Sequence, residues 1–152
     1  LVQRVTRGSV TVNGELRGSI GRGYVILLGV KTGDTEPDAR SLAEKCAALR
    51  VMEDDGGRMN LGLVETGGEA LVISQFTLYG DTRRGNRPGF ADAARAAEAE
   101  PLYDAFVARM RDVLGADRVA TGVFGAMMSV EIVNDGPVTL LLECPSANGV
   151  QG

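Results

Sequence analysis

The sequence predicts a single α+β domain, a curled or barrel-like, mainly antiparallel β-sheet with two amphipathic helices packed outside it. Three observations lead there. Apolar runs of strand length recur at Gly23 to Val30, at Ala70 to Phe76 and near the C-terminus. Two other stretches space their apolar residues for a helix: Ala39, Leu42, Ala43, Cys46 and Leu49, then Leu102, Phe106, Val107, Met110 and Leu114. A length of 152 residues at 44% hydrophobic composition supplies one core and would be cramped for two.

The first β signal is a pair of short runs, Val2 to Val5 and Ser9 to Val12, closed by an Asn13-Gly14 turn of the hairpin type. The chain then returns to Gly23-Tyr24-Val25-Ile26-Leu27-Leu28-Gly29-Val30, whose continuous apolar character suits a strand covered on both faces. A helix follows, with Asp34 or Thr35 as its cap, Pro37 in its first turn and an end near Arg50. Asp54-Asp55-Gly56-Gly57 is a turn, with short β pieces around Met59 and Leu61. Ala70 to Phe76 is a second buried strand, running into Thr77-Leu78-Tyr79 and a loop from Gly80 to Phe90. The second helix begins near Ala97 and stops at Gly115, and Val119 to Phe124 is strand-like. Two last runs, Met128 to Val133 and Val138 to Leu142, are joined by Asn134-Asp135-Gly136-Pro137. The domain spans residues 1–144, and the small polar segment 145–152 reads as a flexible tail.

Composition removes several kinds of chemistry. The chain has no histidine, which excludes Ser-His-Asp and Cys-His catalysis and every histidine-containing metal site. Cys46 and Cys144 form neither a CxxC pair nor a disulfide framework and read as buried thiols. A net charge of −4 argues against a surface that coats nucleic acid, while leaving room for one local basic site. The apolar runs stop far short of the ~20 residues that span a bilayer. The start of the chain lacks a signal peptide's basic-then-apolar order, so a cytoplasmic protein with no membrane association is expected.

Four groups of residues could carry function. Ser74, Gln75, Phe76 and Thr77 place polar groups at the end of an apolar strand, either as a reactive rim or as hydroxyls that satisfy strand-end backbone. Arg83, Arg84 and Arg87 lie in a Gly- and Pro-rich loop, where guanidinium forks match phosphate oxygens. Phe124, between Gly122 and Gly125, is either a platform for a nucleobase or a core residue, and Met127 and Met128 read as core. Gly136-Pro137 is either a plain turn or a rigid corner that presents carbonyls as fixed acceptors.

These motifs occur together in a pattern already familiar. Ser74-Gln75-Phe76-Thr77-Leu78, Asp81-Thr82-Arg83-Arg84-Gly85 with Arg87-Pro88, Phe124-Gly125-Ala126 and Asn134-Asp135-Gly136-Pro137-Val138-Thr139 strongly resemble the D-aminoacyl-tRNA deacylase family. Val2-Gln3-Arg4-Val5-Thr6-Arg7 and Met59-Asn60-Leu61 extend the resemblance over nearly the whole chain. It implies a cytoplasmic homodimer that hydrolyses the ester of D-aminoacyl-tRNA, and in some members glycyl-tRNA, without metal or cofactor. It further implies that Gly136-Pro137 is a Gly-cisPro motif inserted into the partner's pocket, where its carbonyls hold the amino group and leave no room for an L side chain. Main-chain donors around Gln75, Phe76 and Thr77 would stabilise the oxyanion while the tRNA 2′-hydroxyl assists the attack of water. Phe124 would seat the terminal adenine, and Arg83, Arg84 and Arg87 would meet tRNA. Val123, Met127, Ser129 and Glu131 stand where the family more often has Arg, Asp, Gln and Ser. A non-catalytic RNA-end binding protein and a metal- or thiol-dependent hydrolase are the competing expectations.

Overall fold

A computed structural model describes residues 1–144; the tail expected from Pro145 lies outside the described residues. The order of elements is β1 (Val2–Val12), β2 (Glu15–Ile20), β3 (Gly23–Leu28), α1 (Glu36–Ala48), β4 (Met52–Glu53), β5 (Met59–Leu61), α2 (Leu63–Thr66), β6 (Glu69–Ser74), α3 (Ala96–Leu114), β7 (Val119–Thr121) and β8 (Ser129–Leu140). The predicted α+β class holds: a nearly closed, barrel-shaped sheet with helices outside.

β1 is one strand and not the expected two. Its residues 8–12 pair with β2 and its residues 2–5 with β3, while β8 pairs antiparallel with both halves. With β8 spanning the joint, the polar Thr6-Arg7 step cannot break the strand. β6 and β7 then add parallel to β3, so antiparallel pairings still outnumber parallel ones. β2 comes back against β7: a Cβ placed on Gly18 would lie 2.8 Å from the carbonyl oxygen of Thr121. Glycine is what permits that approach.

Strands β3 and β6 read as unbroken apolar runs because both their faces are covered. Tyr24, Ile26, Leu28, Ala70 and Val72 meet the helices, in one core with Ala43, Cys46, Phe106 and Met110. Val25, Leu71 and Ile73 point the other way and pack with Val5, Val10 and Ile20. Each Val, Leu, Ile, Phe or Met side chain among them, when fully buried, contributes roughly 1.5–3 kcal/mol.

α1 begins as its sequence predicts. Thr35 caps it, accepting from the Asp38 N–H while the Asp38 carboxylate accepts from the Thr35 N–H at 2.9 Å. α3 ends at Gly115, with φ 104°, and turns Ala99, Tyr103, Phe106 and Met110 inward. The one-turn helix α2 was not legible, since four residues carry no periodicity.

Three other boundaries differ from expectation. β6 stops at Ser74: the Gln75 N–H makes the last ladder bond, to the Leu28 carbonyl (2.8 Å), and Phe76–Tyr79 then winds into a 3-10 turn. β7 stops at Thr121, which leaves Phe124 in a loop. β8 is continuous through Gly136-Pro137, so this corner is a bulge within a strand and not a turn between two. Gln3 faces Thr139 and Val5 faces Asn134, so two steps along β1 oppose five along β8. Cys46 is buried as expected, whereas Cys144 is only half-buried.

The closure at Gly18 yields a measurable consequence. Gly18→Ala puts a methyl against main chain that cannot yield cheaply, and should lower unfolding free energy by about 1–3 kcal/mol in urea titration. Wild-type stability would show that β2 and β7 do not meet this closely.

Candidate active site

A cavity of about 320 Å³ opens where β6 and β7 leave the sheet. Ser74, Gln75 and Phe76 form one wall, Phe124 and Gly125 a second, and Ala96, Ala99 and Tyr103 of α3 close the back. The structure therefore brings together the strand-end motif and the aromatic platform, which lie about fifty residues apart in sequence.

The main chain at the end of β6 is partly committed. The Gln75 N–H is already spent on Leu28, so it is not free to meet a ligand. Phe76 and Thr77 open the 3-10 turn, and their N–H groups have no main-chain partner among the described residues. The side chains are less suited to chemistry. The Thr77 hydroxyl is exposed and accepts a short hydrogen bond from the Gln75 amide, with no base beside it. Phe76 is 58% exposed, edge-on to Phe90 at 5.0 Å, and makes an apolar lip.

Phe124 is partly core and partly cavity wall. One face packs on Tyr103, with ring centroids 5.7 Å apart, and the ring also lines the cavity. Met128 packs inward as expected, but Met127 is 91% exposed and is not core. It sits on a loop crest where no element covers it.

The loop from Gly80 to Phe90 is pinched by reciprocal main-chain bonds between Asp81 and Gly89. Within it Arg83 forks onto the Asp81 carboxylate, with both contacts at 2.8 Å. The side-chain and main-chain bonds from Arg83 hold the Asp81 carboxyl down at about 2. Arg84 and Arg87 make no side-chain hydrogen bond or ion pair among the described residues, so they are better placed than Arg83 for an anion. None of the three lines the cavity.

Gly136 and Pro137 do not line it either. They stand exposed on the β8 bulge, joined by a cis peptide bond. Asn134 pinches the bulge from within: its Oδ1 accepts from the Val138 N–H at 2.8 Å and its amide donates to Val138 and Thr139. Arg4 fixes it from beneath, donating from Nε to the Asp135 carbonyl (2.9 Å) and from Nη1 to the Val51 carbonyl (2.8 Å). The Asp135 and Glu53 carboxylates lie 3.6 and 3.9 Å from this guanidinium. A Cβ on Gly136, at φ 138°, would come within 2.9 Å of the Val138 nitrogen and 3.2 Å of Arg4, so only glycine fits the corner.

Arg4 and Tyr103 escaped the sequence reading. For Arg4 a signal existed, since a charge shares the helix-facing side of β1 with buried Val2. The thiol reading loses ground: burial pushes Cys46 up to about 11, which keeps it protonated and unreactive near neutrality. Among the described residues no group of three or more Cys, Asp or Glu is placed to hold a metal ion.

Comparison with known proteins decides the relationship. A family model described as D-Tyr-tRNA(Tyr) deacylase matches residues 1–143. The chain belongs to the D-Tyr-tRNA(Tyr) deacylase family. Within it, the D-aminoacyl-tRNA deacylase of Symbiobacterium thermophilum is 59% identical over 143 residues, covering 94% of this chain and 93% of that protein. That of Roseiflexus sp. is 57% identical, over 94% and 91%. Among solved structures, the c-Myc DNA Unwinding Element Binding Protein superposes with a TM-score of 0.90 at 42% identity, over 95% of this chain and 97% of that one. A probable eukaryotic D-amino acid tRNA deacylase shares the fold, with a TM-score of 0.77 at 18% identity over 90% and 93%. As a member of this deacylase family the chain is a hydrolase, and no described helix is long and apolar enough to cross a membrane.

The clamp on the bulge can be weighed directly. Arg4→Lys keeps the charge but cannot reach Val51 and Asp135 together, and should cost about 1–3 kcal/mol of unfolding free energy. Unchanged stability in a urea titration would mean that Arg4 does not hold the corner.

Proposed function

We propose that the protein hydrolyses the ester bond between a D-amino acid and the 3′ end of tRNA, releasing the free D-amino acid and tRNA, and works as a cytoplasmic homodimer. The observation that carries this reading is the cavity itself, with Ser74, Gln75 and Phe76 on one wall and Phe124 on another, and with the 3-10 turn beside it opening on Phe76 and Thr77 N–H groups that have no main-chain partner among the described residues. An aminoacyl ester is already activated, and its adenosine carries a 2′-hydroxyl beside the reacting carbon. Water adds to the carbonyl, the electron pair moves onto oxygen, and main-chain N–H groups receive that charge, each such donor being worth ~10²–10³ in rate. Collapse breaks the bond to the ribose 3′-oxygen, which takes up the 2′-hydroxyl's proton while the 2′-oxygen takes up the proton released by the attacking water, so that both ribose hydroxyls are restored. Phe124 seats the terminal base, and Arg84 and Arg87, with Arg83 beside them, meet phosphates.

Handedness is read by Gly136-Pro137 of the other subunit, whose carbonyls accept from the substrate's amino group and leave no space for an L side chain. Two features support a cross-subunit arrangement. The corner is rigidly held yet lines no part of its own subunit's cavity, and β8 pairs with β1 alone, leaving its outer edge open beside exposed Leu140. Exclusion of an L side chain offers no means of refusing glycine, so glycyl-tRNA mischarged on tRNA-Ala is a second substrate of the same site.

A non-catalytic RNA-end binding protein is the alternative, favoured by the three arginines of the Gly80 to Phe90 loop. Incubation with D-Tyr-tRNA and L-Tyr-tRNA separates the two. The deacylase reading expects rapid release of D-tyrosine with the L ester left intact, whereas a binder would spare both. Thr77→Val probes the chemistry, since main-chain catalysis predicts a rate within about tenfold of wild type. Loss of all activity in a folded variant would make Thr77 the nucleophile.

A further inference from the structure

We propose that Tyr103 is a positioning residue for the terminal base of the substrate, holding Phe124 in fixed register with the Ser74–Phe76 wall across the cavity. This rests on the deacylase reading of the same cavity. Tyr103 is 5% exposed and touches Phe124 of one wall and the strand that leads into the other. Its ring supports Phe124 at 5.7 Å, tilted by 52°. Its hydroxyl donates to the Val72 carbonyl at 2.8 Å.

Val72 is the place that gives this bond its leverage. It is the last residue of β6 to pair with β7, opposite Thr121, and beyond that pair the two strands part to form the two walls. Ser74 follows two residues later on one chain and Phe124 three residues later on the other. Tyr103 therefore ties α3 to the fork of the sheet with one end and steadies the platform with its ring. A phenylalanine would fill the same volume, so packing alone does not call for the hydroxyl. Burial pushes the phenol up to about 12, so it remains a donor at every pH at which an aminoacyl ester is stable enough to be a substrate.

The test compares the full-length Tyr103→Phe and Tyr103→Leu variants with wild type. It reads KM and kcat on D-Tyr-tRNA, and affinity for adenosine bearing a non-hydrolysable 3′-amide-linked D-tyrosine. Tyr103→Phe should raise KM about 3–10-fold and weaken probe binding in parallel, with kcat held within about twofold. Tyr103→Leu, which also removes the ring beneath Phe124, should raise KM further, by about tenfold or more. Wild-type KM and probe affinity in a variant that merely melts earlier would overturn the proposal, because a purely structural role moves only the melting. Should the Leu variant fail to fold, the near-isosteric Phe variant decides alone. A wild type that binds the probe but leaves D-Tyr-tRNA intact would sink the deacylase reading, while the variants' probe affinities would still judge Tyr103.

Discussion

One buried guanidinium holds the exposed Gly136-Pro137 corner of this molecule in place. Arg4 lies in the first strand, across from Tyr24, on the side where the sheet meets its helices. A charge at such a position is costly unless its donors are met. Main-chain carbonyls of Val51 and Asp135 meet them, with the Glu53 and Asp135 carboxylates nearby. Tyr24 adds a parallel tie, donating to the Leu49 carbonyl at 3.0 Å. The segment after α1, the first strand and the bulge of the last strand are thereby locked into one unit.

That lock suits a function carried by backbone. A side chain used to judge handedness could rotate away from the wrong substrate, at a cost of order 1 kcal/mol. A main-chain corner pinned by Asn134 above and Arg4 below has no such freedom. The same economy governs the end of β6, where Gln75 makes the last ladder bond to Leu28 and the 3-10 turn that follows leaves the Phe76 and Thr77 N–H groups without a main-chain partner among the described residues. A chain without histidine can serve the proposed chemistry because fixed dipoles stabilise an oxyanion without a titrating side chain, and the substrate's own hydroxyl can pass the proton.

Much of this was legible in the residues. The strands β3 and β6, both long helices and the Thr35 cap follow from periodicity and capping chemistry, which act locally. Continuity of β1 and β8 did not, because each depends on a partner far away in sequence that bridges a polar or glycine-containing step. The site residues Ser74 to Phe76 and Phe124 could be named from the sequence, but their meeting in one cavity could not. It requires the parallel pairing of β6 with β7, which no local pattern encodes. Arg4 and Tyr103 were hidden for the opposite reason, being ordinary in their local runs and unusual only in what they touch.

The central claim is that rigid main chain from one subunit recognises the amino group of a substrate lying in the cavity of the other. A crystal structure of the protein with D-tyrosine amide-linked to the 3′ position of adenosine tests it most directly. The account predicts carbonyls of Gly136 and Pro137 of the partner subunit within about 3 Å of the amino group, and the Phe76 and Thr77 N–H groups facing the amide oxygen. An amino group held by side chains, or a corner that remains in solvent far from the ligand, would contradict it.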